Sequence, residues 1–167
     1  MEPQTATAPF AVNTDVASNS SYVERAENGT APWSIVSDVG ASAPWQIVQP
    51  EPTLPNHVWF GPNANETSDQ SLISPPMVIS GADAFYFTFT HRYAFEQPVY
   101  DGAVVEASFN GGASWIDLGD YAMGSGYNGT LVGTGTNPLA GRDAYVNTSA
   151  GFPDYLSEGY DLSGFGL

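Results

Sequence analysis

The architecture of this chain is written most plainly in Ala84-Phe85-Tyr86-Phe87-Thr88-Phe89-Thr90-His91-Arg92-Tyr93-Ala94-Phe95. Its odd positions carry Phe85, Phe87, Phe89, His91, Tyr93 and Phe95; its even positions carry Tyr86, Thr88, Thr90, Arg92 and Ala94. A period of two sustained over such a length suits a half-buried β-strand, whose successive side chains point to opposite faces, and suits no helix. The odd face is therefore assigned to the core.

Working outward, Ala103 to Phe109 reads as a second strand, and Asn110-Gly111-Gly112 is a hairpin turn signal leading into Trp115-Ile116-Asp117-Leu118. A Gly-rich loop follows over 119–137, and Asp143 to Asn147 reads as a further short strand. Upstream, Ala31-Pro32-Trp33-Ser34-Ile35-Val36 recurs as Ala43-Pro44-Trp45-Gln46-Ile47-Val48. Short strands at that spacing, with Gly, Ser and Pro between them, predict an all-β sandwich or barrel; two copies are too few for a solenoid. Residues 49–56 hold three prolines and are expected to form a loop. Residues 1–20 are expected to be a flexible leader or linker, with one edge strand near Phe10 to Val12, and 21–167 a single domain.

The chain has 167 residues, enough to bury one sizeable core, and 22 aromatics (Trp 4, Tyr 9, Phe 9) to fill it. Its 18 glycines and 13 prolines are turn chemistry. Eighteen acidic residues face three arginines and no lysine, for a formal charge of −15. That balance argues against nucleic acid or an anionic membrane surface as partner, because both need cationic groups to displace counterions. Without cysteine there is no disulfide framework, thiolate metal site or Cys nucleophile. No apolar run is long enough to span a bilayer, so no membrane insertion is expected, and the N-terminus lacks signal-peptide character. Carboxylates without cationic partners repel one another, and salt screens that repulsion. A saline or extracellular location fits, as do bound divalent cations. Five Asn-x-Ser/Thr sequons, at Asn19, Asn28, Asn65, Asn128 and Asn147, are either glycan acceptors or ordinary turn residues.

From Trp59 onward the motif order resembles a family of bacterial secreted modules: jelly-roll domains, distantly similar to MAM and CUB domains, appended to extracellular metallopeptidases and surface proteins. The residues that carry the resemblance are Trp59-Phe60-Gly61-Pro62-Asn63, Ser68 to Pro75, His91-Arg92-Tyr93-Ala94-Phe95-Glu96 and Tyr100-Asp101-Gly102. They continue with Val105-Glu106-Ala107-Ser108, Gly111 to Trp115, Gly126-Tyr127-Asn128-Gly129, Asn137 to Arg142 and Ser149-Ala150-Gly151-Phe152. The resemblance implies a jelly-roll-type β-sandwich of two antiparallel sheets. It further implies no catalytic machinery and a role in binding, stability or surface attachment, on a protein or glycan partner. In that family the chain continues past the equivalent of Asp161-Leu162-Ser163, whereas this sequence stops at Leu167. The sandwich is therefore expected to lack C-terminal strands, either by truncation or because another copy supplies them by strand addition, as in a filament or surface layer.

No Ser-His-Asp elbow and no His-Glu-x-x-His pair occurs, so no enzyme is expected. His91, on the core face, is expected to be a neutral, hydrogen-bonded imidazole. Calcium is the cofactor considered, since it takes carboxylate and carbonyl oxygens. Glu96 and Asp101 flank the loop after the long strand, and the resemblance adds Glu24 or Glu27 from an earlier strand. Against this, Glu96 could pair with Arg92, and Asp101-Gly102 could be a plain turn. Glu106 is expected to meet Arg92 across strands. Aromatics offer a sugar platform: Tyr121 and Tyr127, in the Gly-rich loop, are the ligand-binding candidates, while Trp33, Trp45 and Trp115 are expected to pack between sheets.

Overall fold

A computed structural model describes residues 22–40, 44–51, 55–64, 66–77, 84–133 and 136–165. The leader over 1–20, its edge strand near Phe10 to Val12, and the sequons at Asn19 and Asn65 lie outside the described residues. The fold is all-β, in small antiparallel sheets, with two 3₁₀ turns at Gly119–Tyr121 and Ser163–Phe165 and no α-helix among the described residues. None of these holds a helix long and apolar enough to cross a membrane. The chain divides into two compact units, Met1–Ser80 and Gly81–Leu167.

The first unit holds β1 (Ser34–Val39), β2 (Gln46–Val48), β3 (Val58–Phe60) and β4 (Asp69–Ile73). The repeated Ala-Pro-Trp motif leads into β1 and into β2, so both copies open a strand. β1 pairs with β4, from Ser34 opposite Ile73 to Val39 opposite Asp69, with a register shift between Ser37 and Val39. β2 pairs with β3. Among the described residues Ala26 is this unit's one buried apolar side chain. Trp33 and Trp59 lie 6.0 Å apart, and both are only half-buried. The Trp45 indole N–H donates to the Gln70 carbonyl, 3.3 Å away.

The second unit holds β5 (Tyr86–His91), β6 (Gly102–Ala103), β7 (Glu106–Ala107), β8 (Ile116–Asp117), β9 (Gly129–Thr130), β10 (Asp143–Val146) and β11 (Leu156–Asp161). β5 pairs with β11 along its whole length, from Tyr86 opposite Asp161 to His91 opposite Leu156. β10 pairs with β6 and β9, and β7 pairs with β8 in the hairpin that Asn110-Gly111-Gly112 predicts. The second predicted strand is broken into β6 and β7, with Val104 and Val105 between them.

The odd face of the 84–95 stretch does turn inward. Phe85, Phe87 and Phe89 pack against the buried cluster of Leu118, Tyr160 and Leu162, while Tyr86, Thr88 and Thr90 are exposed. Ring spacings run 5.4 Å from Phe87 to Phe89, 4.9 Å on to His91, 5.3 Å to Tyr93 and 5.5 Å to Phe95. The ladder of strand bonds ends at His91. Beyond it the chain is held by single bonds, Ser149 N–H to Tyr93 C=O and Phe95 N–H to Asn147 C=O. A second cluster of Leu131, Ala144 and Val146 takes Val99, Val104 and Leu139.

Truncating Phe89 should cost about 2–3 kcal/mol, below the 3–5 typical of a fully buried ring, because the ring is half-covered. Thr90→Ala, one residue along on the exposed face, should cost less than about 1 kcal/mol. Urea unfolding of the two variants checks this; equal losses would mean the strand does not present one face to the core.

Candidate functional site

The Gly-rich segment after β8 walls a polar cleft of about 760 Å³, whose lining includes Asp117, Asp120, Ser125, Tyr127, Arg142 and Asp143. Its floor begins with a ladder problem. β7 and β8 set Glu106 directly opposite Asp117, and like charges in that position destabilise a strand pair. Arg142, just before β10, resolves it by donating to Glu106 Oε1 at 2.7 Å and to Asp117 Oδ2 at 2.5 Å. The expected partner for Glu106 was Arg92. That residue instead donates to the Pro153 carbonyl and lies 4.7 Å over the Tyr155 ring. The reason is topological: β5 is laddered to β11, not to β7.

Burial alone would raise the Asp117 carboxyl, but the Arg142 guanidinium, the Gly119 N–H and the Tyr127 hydroxyl outweigh it and hold it below the usual carboxylate range. Tyr127 is fixed in turn. Its hydroxyl accepts from Val105 N–H at 2.7 Å and lies 3.0 Å from Asp117 Oδ1 and 3.2 Å from the Val105 carbonyl, either of which can take its proton. Burial first, and then Asp117, push the phenol up. Gly119 is required here, since a Cβ would sit 2.7 Å from the Tyr127 ring.

The outer wall, 124–126, is held from below. Glu158 is 4 % exposed, and its two carboxylate oxygens accept the N–H groups of Ser125 at 3.1 Å and Gly126 at 3.3 Å. The carboxylate comes so close that a Cβ on Gly124 would meet Oε2 at 2.6 Å. Neither Glu158 nor Arg142 is among the site residues expected from sequence, yet Glu158 had a signal. Leu156, Glu158 and Tyr160 share the inward side of β11, with buried Leu162 just beyond its end, and an acid in that series asks for buried donors. On the same core, the Tyr145 and Tyr160 hydroxyls bond each other at 2.7 Å.

His91 differs from its expectation. It lies against Phe89 and, edge-on at 4.7 Å, Tyr145, but its buried Nε2 has no hydrogen-bond partner. The cause is an aromatic rather than polar neighbourhood. Burial holds the imidazole below its ordinary pKa, with the Glu158 charge opposing.

The candidates named from sequence fall as follows. Tyr127 lines the cleft, whereas Tyr121 stands outside its lining with its ring 4.7 Å from Phe165. Glu24 accepts from Ala26 N–H at 2.5 Å, the Trp33 indole at 3.0 Å and the Tyr22 hydroxyl at 3.1 Å. Burial would raise it; those bonds outweigh burial and lower it. Glu27 clasps His57, accepting its backbone N–H and facing Nδ1, each at 2.8 Å. Glu96 is exposed and Asp101 half-buried. No group of three or more His, Asp or Glu side chains that could hold a metal ion occurs among the described residues, so calcium gains no observed ligand set. Trp115, expected between sheets, is 43 % exposed and covers the hairpin loop beside Gly112. Among the sequons, Asn28 is exposed, while Asn128 bonds both N–H and C=O of Val146 and is committed to the fold.

Compared with known proteins, the chain matches no family model, no curated protein and no solved structure.

Two measurements test this geometry. Glu158→Gln puts a donor where an acceptor is needed and should cost about 1–3 kcal/mol. Amide exchange at Ser125 and Gly126 should rise with it; unchanged exchange would mean that the carboxylate does not hold the wall. For His91, the depressed folded pKa means the unfolded chain takes up protons first. Its contribution is full above the unfolded value of about 6.5 and is lost as pH falls through the folded one. Melting curves between pH 7.5 and 5 should show a loss in the native chain that His91→Phe lacks. Parallel curves for the two proteins would refute it.

Proposed function

We propose that the chain is a non-catalytic binding module of a secreted or cell-surface protein, a jelly-roll-type sandwich of the MAM/CUB-like kind. The cleft of its second unit recognises a neutral, hydroxyl-rich ligand, a glycan on an extracellular surface. The observation that carries this is the division of labour inside the cleft. Asp117 is bonded to both Arg142 and Tyr127, and Tyr127 is tied to Val105, while Asp120 and Ser125 carry side chains with no hydrogen-bond partner in the described chain.

Preformed pockets with a few convergent polar groups bind small ligands without a costly rearrangement. A carboxylate accepts from vicinal hydroxyls, and a serine hydroxyl both donates and accepts. Three carboxylates line the cleft against one guanidinium that is already paired, so anionic ligands are disfavoured. The net charge of −15 extends that bias to the whole chain. The sequence resemblance to secreted accessory modules supports the same reading.

Neutral glycans should bind the full chain on an array, and titration with a positive should give an affinity that Asp120→Asn weakens about tenfold, or roughly 1.4 kcal/mol. Failure of every neutral glycan to bind, or binding unchanged in both Asp120→Asn and Ser125→Ala, would remove the cleft from this role.

A further inference from the structure

We infer that the outer edge of β5 is a self-association surface, pairing antiparallel with the same edge of a second copy of this chain. This is independent of the cleft. Just past the ladder, Leu162 N–H donates to the Phe85 carbonyl at 2.9 Å while the Phe85 N–H goes to Ser163 Oγ at 3.2 Å, and the first of these bonds fixes the phase of the β5–β11 pairing. With a period of two, Phe87–Tyr160, Phe89–Glu158 and His91–Leu156 are hydrogen-bonded pairs. The N–H and C=O groups of Tyr86, Thr88 and Thr90 therefore point away from β11. The far edge of β11 is occupied, since Met123 N–H donates to the Gly159 carbonyl at 2.8 Å and Ala122 bridges Tyr160. Among the described residues no strand pairs with the far edge of β5.

Natural sheets protect such an edge with charge, proline or a bulge. Tyr86-Phe87-Thr88-Phe89-Thr90-His91 has no Asp, Glu, Lys, Arg or Pro, and its register with β11 is unbroken. The occupant follows from two properties. In a chain of charge −15, an edge strand free of carboxylates is where two copies approach at low electrostatic cost. The edge is also self-complementary. An antiparallel pairing centred on Thr88 sets it opposite Thr88 of the second copy and Tyr86 opposite Thr90 of the second copy, aligning the outward N–H and C=O groups. About six interchain hydrogen bonds result, two per pair. Thr–Thr and aromatic–β-branched pairs are favourable neighbours on an antiparallel face. On the inner face Phe87 comes opposite Phe89 of the second copy, extending the aromatic ladder. Such an interface is isologous and closes as a dimer.

Sedimentation of the full chain, from low-micromolar to near-millimolar protein, tests this. A monomer–dimer equilibrium is expected, and it should tighten as salt shortens the Debye length from about 10 Å at 0.1 M to about 3 Å at 1 M. Thr88→Pro removes one outward donor while sparing every β5–β11 bond, so it should keep the native circular dichroism and weaken the dimer at least tenfold. Thr88→Lys, which retains all backbone donors, gives the same readout should the proline variant fail to fold. A monomer at all concentrations, a dimer indifferent to a folded position-88 variant, a dimer dissolved by salt, or open-ended oligomers would each overturn the proposal. So would a monomer that captures a foreign Thr/Val-rich strand at this edge.

Discussion

The second unit turns on Tyr160, a side chain with no exposed surface whose hydroxyl still needs a partner. Burying a hydroxyl without a hydrogen bond costs a few kcal/mol, on the order of the margin that keeps a domain folded. Tyr145 supplies the partner at 2.7 Å, so β10 and β11 are held in one relative position. The ring then becomes a platform for β5: Phe89 stacks 6.1 Å from it at an interplanar angle of 4°, and Phe87 lies 6.3 Å away. One buried phenol thus joins three strands that are far apart in sequence.

The acidity of the chain is handled locally around this core. Glu158 is buried beneath the Gly-rich wall and takes two backbone N–H groups. Asp117 and Glu106 share Arg142, and in the first unit Glu24 and Glu27 each accept several donors. Charge-assisted bonds of this kind are stronger than neutral ones, which suits a protein with three cations to offer eighteen acids. Backbone and aromatic donors do the work that lysine does elsewhere.

Much of the fold was legible in advance. The alternation declared a strand and its inward face, although the strand stops at His91 rather than running on to Phe95, and Asn110-Gly111-Gly112 declared the hairpin. The break between β6 and β7 was not legible, because Ala103-Val104-Val105 looks like uninterrupted strand. Nor was the exposure of Trp115, whose size argues for burial until the loop it covers is seen. The cleft was half visible: Tyr127 stood out in its glycine context, whereas Arg142 could be matched to Glu106 and Asp117 only once β7 and β8 had set those acids face to face.

Features that depend on neighbours along the chain were written in the residue order: strand against helix, which side of β5 is apolar, where glycines permit a tight turn, and the excess of negative charge. Which strand lies beside which emerged only on folding, and with it the partners of Glu27, Glu106 and Glu158. Period-two patterning acts over a few residues, while Glu158 and Ser125, or Arg142 and Glu106, meet across more than thirty. Distances of that kind are set by how β5, β10 and β11 close around Tyr160.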